Sequence, residues 1–91
     1  MSAVVRIPTI LRTYTGGAAE VTAEGATLQD VLNSLDAQYA GIAARVLDDN
    51  GALRRFVNVY VNDDDVRFLD GLATPIVDGA NISIIPAVAG G

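Results

Sequence analysis

Cysteine, histidine and lysine are all missing from this 91-residue chain, and each absence closes a class of chemistry. Without cysteine there is no disulfide framework, no thiolate nucleophile and no cysteine-bound metal. Without histidine the commonest general base and the commonest metal ligand are gone. Every basic side chain is an arginine: Arg6, Arg12, Arg45, Arg54, Arg55 and Arg67. Arginine keeps its proton in proteins, whereas a lysine amine can lose its proton and attack an activated acyl group. A lysine-free surface would therefore spare a reactive acyl group on the same chain. Codon bias in a GC-rich genome, in keeping with the Ala, Gly and Val content, is the simpler explanation.

No apolar run approaches the ~20 residues that a membrane-spanning helix requires. Met1-Ser2-Ala3 shows no basic segment followed by a hydrophobic one, so no secretory signal is expected and the expected location is cytoplasmic. The net charge of −5 disfavours nucleic acid as a partner, because phosphate binding relies on clustered Lys and Arg. It suits a partner with a basic surface, or serves solubility alone. A hydrophobic content of 51% in a chain this short is one small domain with a single core.

Val5, Ile7, Thr9 and Leu11 share one alternation phase and Arg6 and Pro8 the other, which predicts a half-buried strand. Thr15-Gly16-Gly17 predicts a tight hairpin turn, with a second strand from Glu20 to Ala23. Thr27 is placed to cap a helix and Asp30 to favour its positive end. Leu28, Val31, Leu32, Leu35 and Tyr39 form an apolar stripe at helical spacing, and Gly41 is a stop. A short helical turn over Ile42–Leu47 and a loop at Asp48-Asp49-Asn50-Gly51 follow.

Val57, Val59 and Val61 alternate with Asn58, Tyr60 and Asn62, so the strand Phe56–Asn62 turns its valines to the core. An acidic turn at Asp63-Asp64-Asp65 then leads to a short strand near Val66–Phe68, and Asp78-Gly79 to a last strand over Asn81–Ile85. The plan is α+β, with first and last strands parallel if adjacent and the helix across one face. The expected organisation is a domain over residues 1–85 and a flexible tail over 86–91.

Autonomous catalysis finds no support. Gly16-Gly17 is too short for a phosphate loop and lies between strands. A calcium loop built on Gly51 would put Val46 at its first ligand position, so the acidic clusters read as solvated turns and no metal is expected. Asp30 and Asp36 are six apart, off one helix face, and make a poor acid/base pair.

The chain ends on Gly90-Gly91, directly after Pro86-Ala87-Val88-Ala89 and with no polar linker between. Glycine carries no Cβ and passes where other residues clash. A terminal carboxylate on Gly91, led by Gly90, Ala89 and Val88, could therefore enter a narrow site and be activated there. Extended at ~3.3 Å per residue, the stretch from Pro86 would reach roughly 20 Å. A frayed terminus is the plain alternative.

The order strand, hairpin, strand, helix, strand, strand resembles the β-grasp fold of ubiquitin-like proteins, a mixed sheet with one main helix packed across it. The ending Ile85 to Gly91 resembles sulfur carriers of the ThiS/MoaD type. Three stretches look most like the cysteine-biosynthesis branch: Ile7–Arg12, Phe56–Asp63, and Asp65–Phe68 with Gly71–Thr74. The terminal Gly-Gly is common to every branch, and the internal stretches are more specific.

The resemblance implies that the protein is not itself an enzyme. An ATP-dependent activating enzyme would adenylate the Gly91 carboxylate, and a sulfur donor would convert it to a thiocarboxylate. A pyridoxal-phosphate-dependent cysteine synthase, or another sulfur-acceptor enzyme, would take the sulfur, and a metalloprotease would release the cysteine. ATP and pyridoxal phosphate thus belong to the partners, and the carrier has no cofactor of its own. The sheet face opposite the helix would present Arg6, Pro8, Ile10, Phe56, Tyr60 and Ile85 for docking; a partly covered face of the fold is the alternative. Sulfur supply for molybdopterin, thiamine thiazole or a specialised metabolite remains open, as does a ubiquitin-like modifier or an adaptor.

Overall fold

A computed structural model describes residues 1–86. Strand β1 (Ser2–Arg6) leads through a 3-10 helix (Thr9–Thr15) to β2 (Glu20–Glu24), and helix α1 (Leu28–Gln38) follows. A short helix α2 (Ala43–Val46) precedes β3 (Val57–Val61) and β4 (Asp64–Asp65). Two 3-10 turns, Val66–Phe68 and Gly71–Ala73, lead to β5 (Ala80–Pro86). The sheet runs β2-β1-β5-β3-β4, with β1 and β5 parallel and the other neighbours antiparallel. This is the α+β, β-grasp plan: a mixed five-stranded sheet with α1 across one face.

The helix forms where the stripe and cap predict. Thr27 is extended, and its hydroxyl accepts from the Asp30 N–H at 3.3 Å, satisfying one of the free donors of the first turn. Leu28, Val31, Leu32 and Leu35 are fully buried. They meet the inward residues of the sheet: Val5 of β1, Val21 and Ala23 of β2, Val59 of β3, and Ile82 and Ile84 of β5. α1 ends at Gln38, before Gly41, and the Asp36 carboxylate then accepts from the N–H groups of Gly41 (3.0 Å) and Ala43 (3.1 Å).

Two expected strands are corrected. β1 stops at Arg6, and Thr9–Thr15 is a 3-10 helix, not a strand continuing to Leu11. Pro8 has no N–H to give a ladder, and its carbonyl accepts from Leu11 N at 2.9 Å, closing a turn. Gly16, at φ +66°, caps that 3-10 helix, so Thr15-Gly16-Gly17 closes a helical connection and is not itself a two-residue hairpin turn. Likewise Val66–Phe68 is a 3-10 turn, because the Asp65 carboxylate accepts from the Arg67 N–H at 2.9 Å and caps it.

The acidic strand lies one step earlier, with Asp64 opposite Val61 and Asp65 opposite Tyr60. The turn between β3 and β4 is Asn62-Asp63, both at positive φ (50° and 74°), the pairing that matches strand twist in a two-residue hairpin. The last strand extends to Pro86, one residue past the expected Ile85.

Candidate functional site

The strand period fixes what the outer face of the sheet displays. Valines and isoleucines of the inward phase are buried, so the alternate positions point away from α1. One transverse row of that outer face reads Glu20, Arg6, Ser83, Tyr60, Asp65 from edge to edge. The next brings Ile85 opposite Asn58, and Pro86 then pairs with Val57 at the rim. Arg6 and Tyr60 therefore flank Ser83 of β5 from either side.

The remaining expected residues come from outside the sheet. Pro8 and Ile10 belong to the connection after β1, and Phe56 precedes β3. Ile10 is exposed because the 3-10 turn sends Leu11 inward and leaves its neighbour outside. Ile10 (63% exposed), Phe56 (56%) and Ile85 (49%) are large apolar side chains in water at the end where β5 finishes. Two shallow depressions flank the last residues of β5. One, of about 350 Å³, joins Arg6, Pro8, Arg12 and Ile85. The other, of about 290 Å³, joins Ile10, Tyr14, Arg45 and Val57, and Pro86 borders both.

The residues expected to carry and deliver sulfur, Val88, Ala89, Gly90 and Gly91, lie outside the described residues. Pro86 marks where the described chain leads toward them.

Sequence reasoning missed the residue that organises this end. Arg67 donates from Nη2 to the carbonyls of Arg54 and Val57, both at 2.7 Å, and from Nη1 to Asn58 Oδ1 at 2.6 Å. A planar guanidinium suits such divergent acceptors, and it ties the 3-10 turn to the start of β3, opposite Pro86. An arginine two residues after a capping aspartate was the available signal. Other arginines are likewise held by neutral oxygens: Arg12 by Ile7 O, Arg45 by Tyr14 Oη, Arg54 by Ala44 O.

Among the described residues, Arg6 with Glu20 (3.6 Å) is the one ion pair. Both side chains are more than half exposed, so it contributes little to stability. Among the same residues no group of three or more Asp or Glu side chains is placed to hold a metal ion. No helix there is long and apolar enough to cross a membrane.

Comparison with known proteins gives this surface a context. A model of the ThiS family matches residues 5–91. The chain is 56% identical to the sulfur carrier protein CysO of Mycobacterium tuberculosis, with 100% of both chains covered. It is 47% identical to small archaeal modifier protein 3 of Haloferax volcanii, over 75% of this chain and 73% of that protein. Its fold superposes on a chain of the BexX/CysO complex of Amycolatopsis orientalis with a TM-score of 0.92 at 50% identity, covering 98% of this chain and 99% of that one.

Proposed function

The chain belongs to the ThiS family, and we propose that it is a sulfur carrier whose reactive group is the Gly91 carboxylate. The observation that carries this reading is its end-to-end similarity to a sulfur carrier protein, with the family match running through Gly91. A carboxylate oxygen is a poor leaving group. Attack of that oxygen on the α-phosphorus of ATP, in an activating enzyme, expels pyrophosphate and leaves an acyl adenylate. A sulfur donor then attacks the carbonyl carbon and AMP leaves, giving a C-terminal thiocarboxylate. Its sulfur is the nucleophile delivered to the acceptor enzyme.

Cysteine is the product this reading favours, given the likeness to CysO, with a pyridoxal-phosphate-dependent synthase as acceptor and a metalloprotease releasing the cysteine. The chemistry is supplied by these partners, in the cytoplasm, and the carrier is not their catalyst. Residues 1–85 are the body that partners grip, and 86–91 the segment that enters their sites. Arg6, Pro8, Ile10, Phe56 and Tyr60 form the docking surface, a role supported by Arg6, Pro8 and Ile10 lining the depressions beside Pro86, by Phe56 preceding the Val57 that pairs with Pro86, and by Tyr60 facing Ser83 of β5.

The test is intact-protein mass spectrometry after incubation with an activating enzyme, ATP and a sulfur source. Sulfur should replace one oxygen, and fragmentation should locate it on Gly91. Deleting Gly91 should abolish that mass gain and leave the circular dichroism spectrum unchanged. Loading that survives the deletion would refute the assignment.

The likeness to a small archaeal modifier protein favours a second use of the same terminus, joining Gly91 to lysines of other proteins. Target lysines carrying the Phe68–Gly91 peptide in tryptic digests of producing cells would reveal it, since no Lys or Arg lies between Arg67 and Gly91.

A further inference from the structure

All six arginines of the chain gather at one end of the sheet. Arg6 and Arg12 border Pro86 on the β1 side, and Arg45 borders it on the other. Arg54 and Arg55 precede Phe56 and Val57, and Arg67 donates to the carbonyl of Val57, the residue paired with Pro86. In a chain of net charge −5 this is a strong segregation. The opposite strand ends are acidic: Asp63 and Asp64 after β3, Asp78 before β5, and Glu24 at the end of β2. The two ends are separated by the length of β5, roughly 20 Å at ~3.3 Å per residue.

Apart from Arg6, which pairs with the exposed Glu20 at 3.6 Å, the positive charge at this end is not cancelled by the fold. Arg12, Arg45, Arg54 and Arg67 donate to carbonyl, amide or hydroxyl oxygens, which orient a guanidinium and leave its charge uncancelled. Asp48, which lines a depression with Arg54 and Arg55, turns its carboxylate to the N–H groups of Asn50 and Ala52 in its own loop. The net charge by itself points to a basic partner. The distribution reverses that sign at the one place where Ile10, Phe56 and Ile85 offer apolar area. The other exposed apolar group, Phe68 with Leu69 and Val77, lies beside Asp64 and Asp70 and carries the opposite sign.

We propose that the end of β5 is an arginine collar around an apolar patch, and that it docks a protein surface in which Asp and Glu side chains rim an apolar recess. The collar deepens the carrier reading, since it names the chemistry by which the activating enzyme takes hold before the terminus is modified. Complementary charge of this kind raises the encounter rate and fixes orientation more than it adds affinity. It also weakens as salt shortens the reach of the field, to about 10 Å at 0.1 M.

The test measures the association rate of the intact chain with its activating enzyme from low to high NaCl, and sulfur loading by mass in the same samples. Arg55 is exposed, so Arg55→Gln alone and with Arg6→Gln should fold normally. Ala37→Glu, on the exposed side of α1, changes the net charge by the same −1 as Arg55→Gln and serves as control. The double variant should associate about tenfold more slowly at low salt, the difference closing at high salt, with Ala37→Glu unchanged.

Rates indifferent to salt and to both arginines, with loading intact, overturn the collar and spare the carrier. Arginine-dependent association without any sulfur gain supports the collar and overturns the carrier. A slowing by Ala37→Glu equal to that by Arg55→Gln overturns the collar, because net charge alone then suffices. Arginine-dependent binding of a DNA duplex, or arginine-dependent self-association, with enzyme binding unaffected, also overturns it.

Discussion

A Cβ built on Gly25 would stand 2.5 Å from Val31 N and 2.6 Å from Asp30 Cβ. The neighbouring backbone is the first turn of α1, which cannot yield as a flexible side chain would. Gly25→Ala should therefore cost about 1–3 kcal/mol by overpacking, read from urea denaturation midpoints. An unchanged midpoint would mean that the β2–α1 connection relaxes freely. At Gly90 the same absence of a Cβ should serve a partner's active site. Gly90→Val is expected to slow adenylation about tenfold, or ~1.4 kcal/mol on the barrier, with the melting temperature unmoved. Equal adenylation rates would contradict it. At this scale the alternation of Val57, Val59 and Val61 was legible, since each faces the core. Gly25 and Arg67 were not, because what each does depends on a neighbour that only the fold supplies.

Among the elements, the best-read are those with a chemical start signal and a sustained period. α1 has both, in the Thr27 cap and the stripe from Leu28 to Leu35. Thr27→Ala should destabilise by about 1 kcal/mol, seen as a lower denaturation midpoint, and a neutral result would show the cap is dispensable. The misread pieces are short. Four alternating residues from Val5 to Leu11 fit a strand, yet Ile7 and Leu11 are buried four apart across a helical turn. Val66-Arg67-Phe68 likewise alternates, but Phe68 is 88% exposed and the Asp65 cap decides the conformation. Of the residues expected to dock, Arg6, Ile10 and Phe56 are exposed and Pro8 and Tyr60 half-buried; that Pro8 and Ile10 come from the connection after β1 and not from the sheet was not legible. Arg67→Ala removes three hydrogen bonds that anchor the start of β3 and should cost about 1.5–3 kcal/mol. Faster amide exchange at Val57 and Asn58 would locate the damage there, and unaltered exchange would argue that the anchor is decorative.

For the molecule as a whole, stability rests on one core shared by α1 and all the longer strands. Val59 is fully buried in β3, near the centre of that core. Val59→Asp would put an unpaired carboxylate there, and the domain should unfold, with loss of the cooperative thermal transition. A normal melting curve would mean that the strand faces the other way. The parallel sense of the first and last strands was expected on condition that they lie side by side, as they do; that β5 sits between β1 and β3 was not legible, because pairing order leaves no mark in local periodicity.

That position matters while the protein is being made. Until β5 emerges from the ribosome, the chain holds two separate pieces, β1 with β2 and β3 with β4, and no continuous sheet joins them. β5 is the keystone of the sheet, and it is made after every other strand described. A message cut short before β5 thus yields no closed sheet, and the half-built core is left open to water.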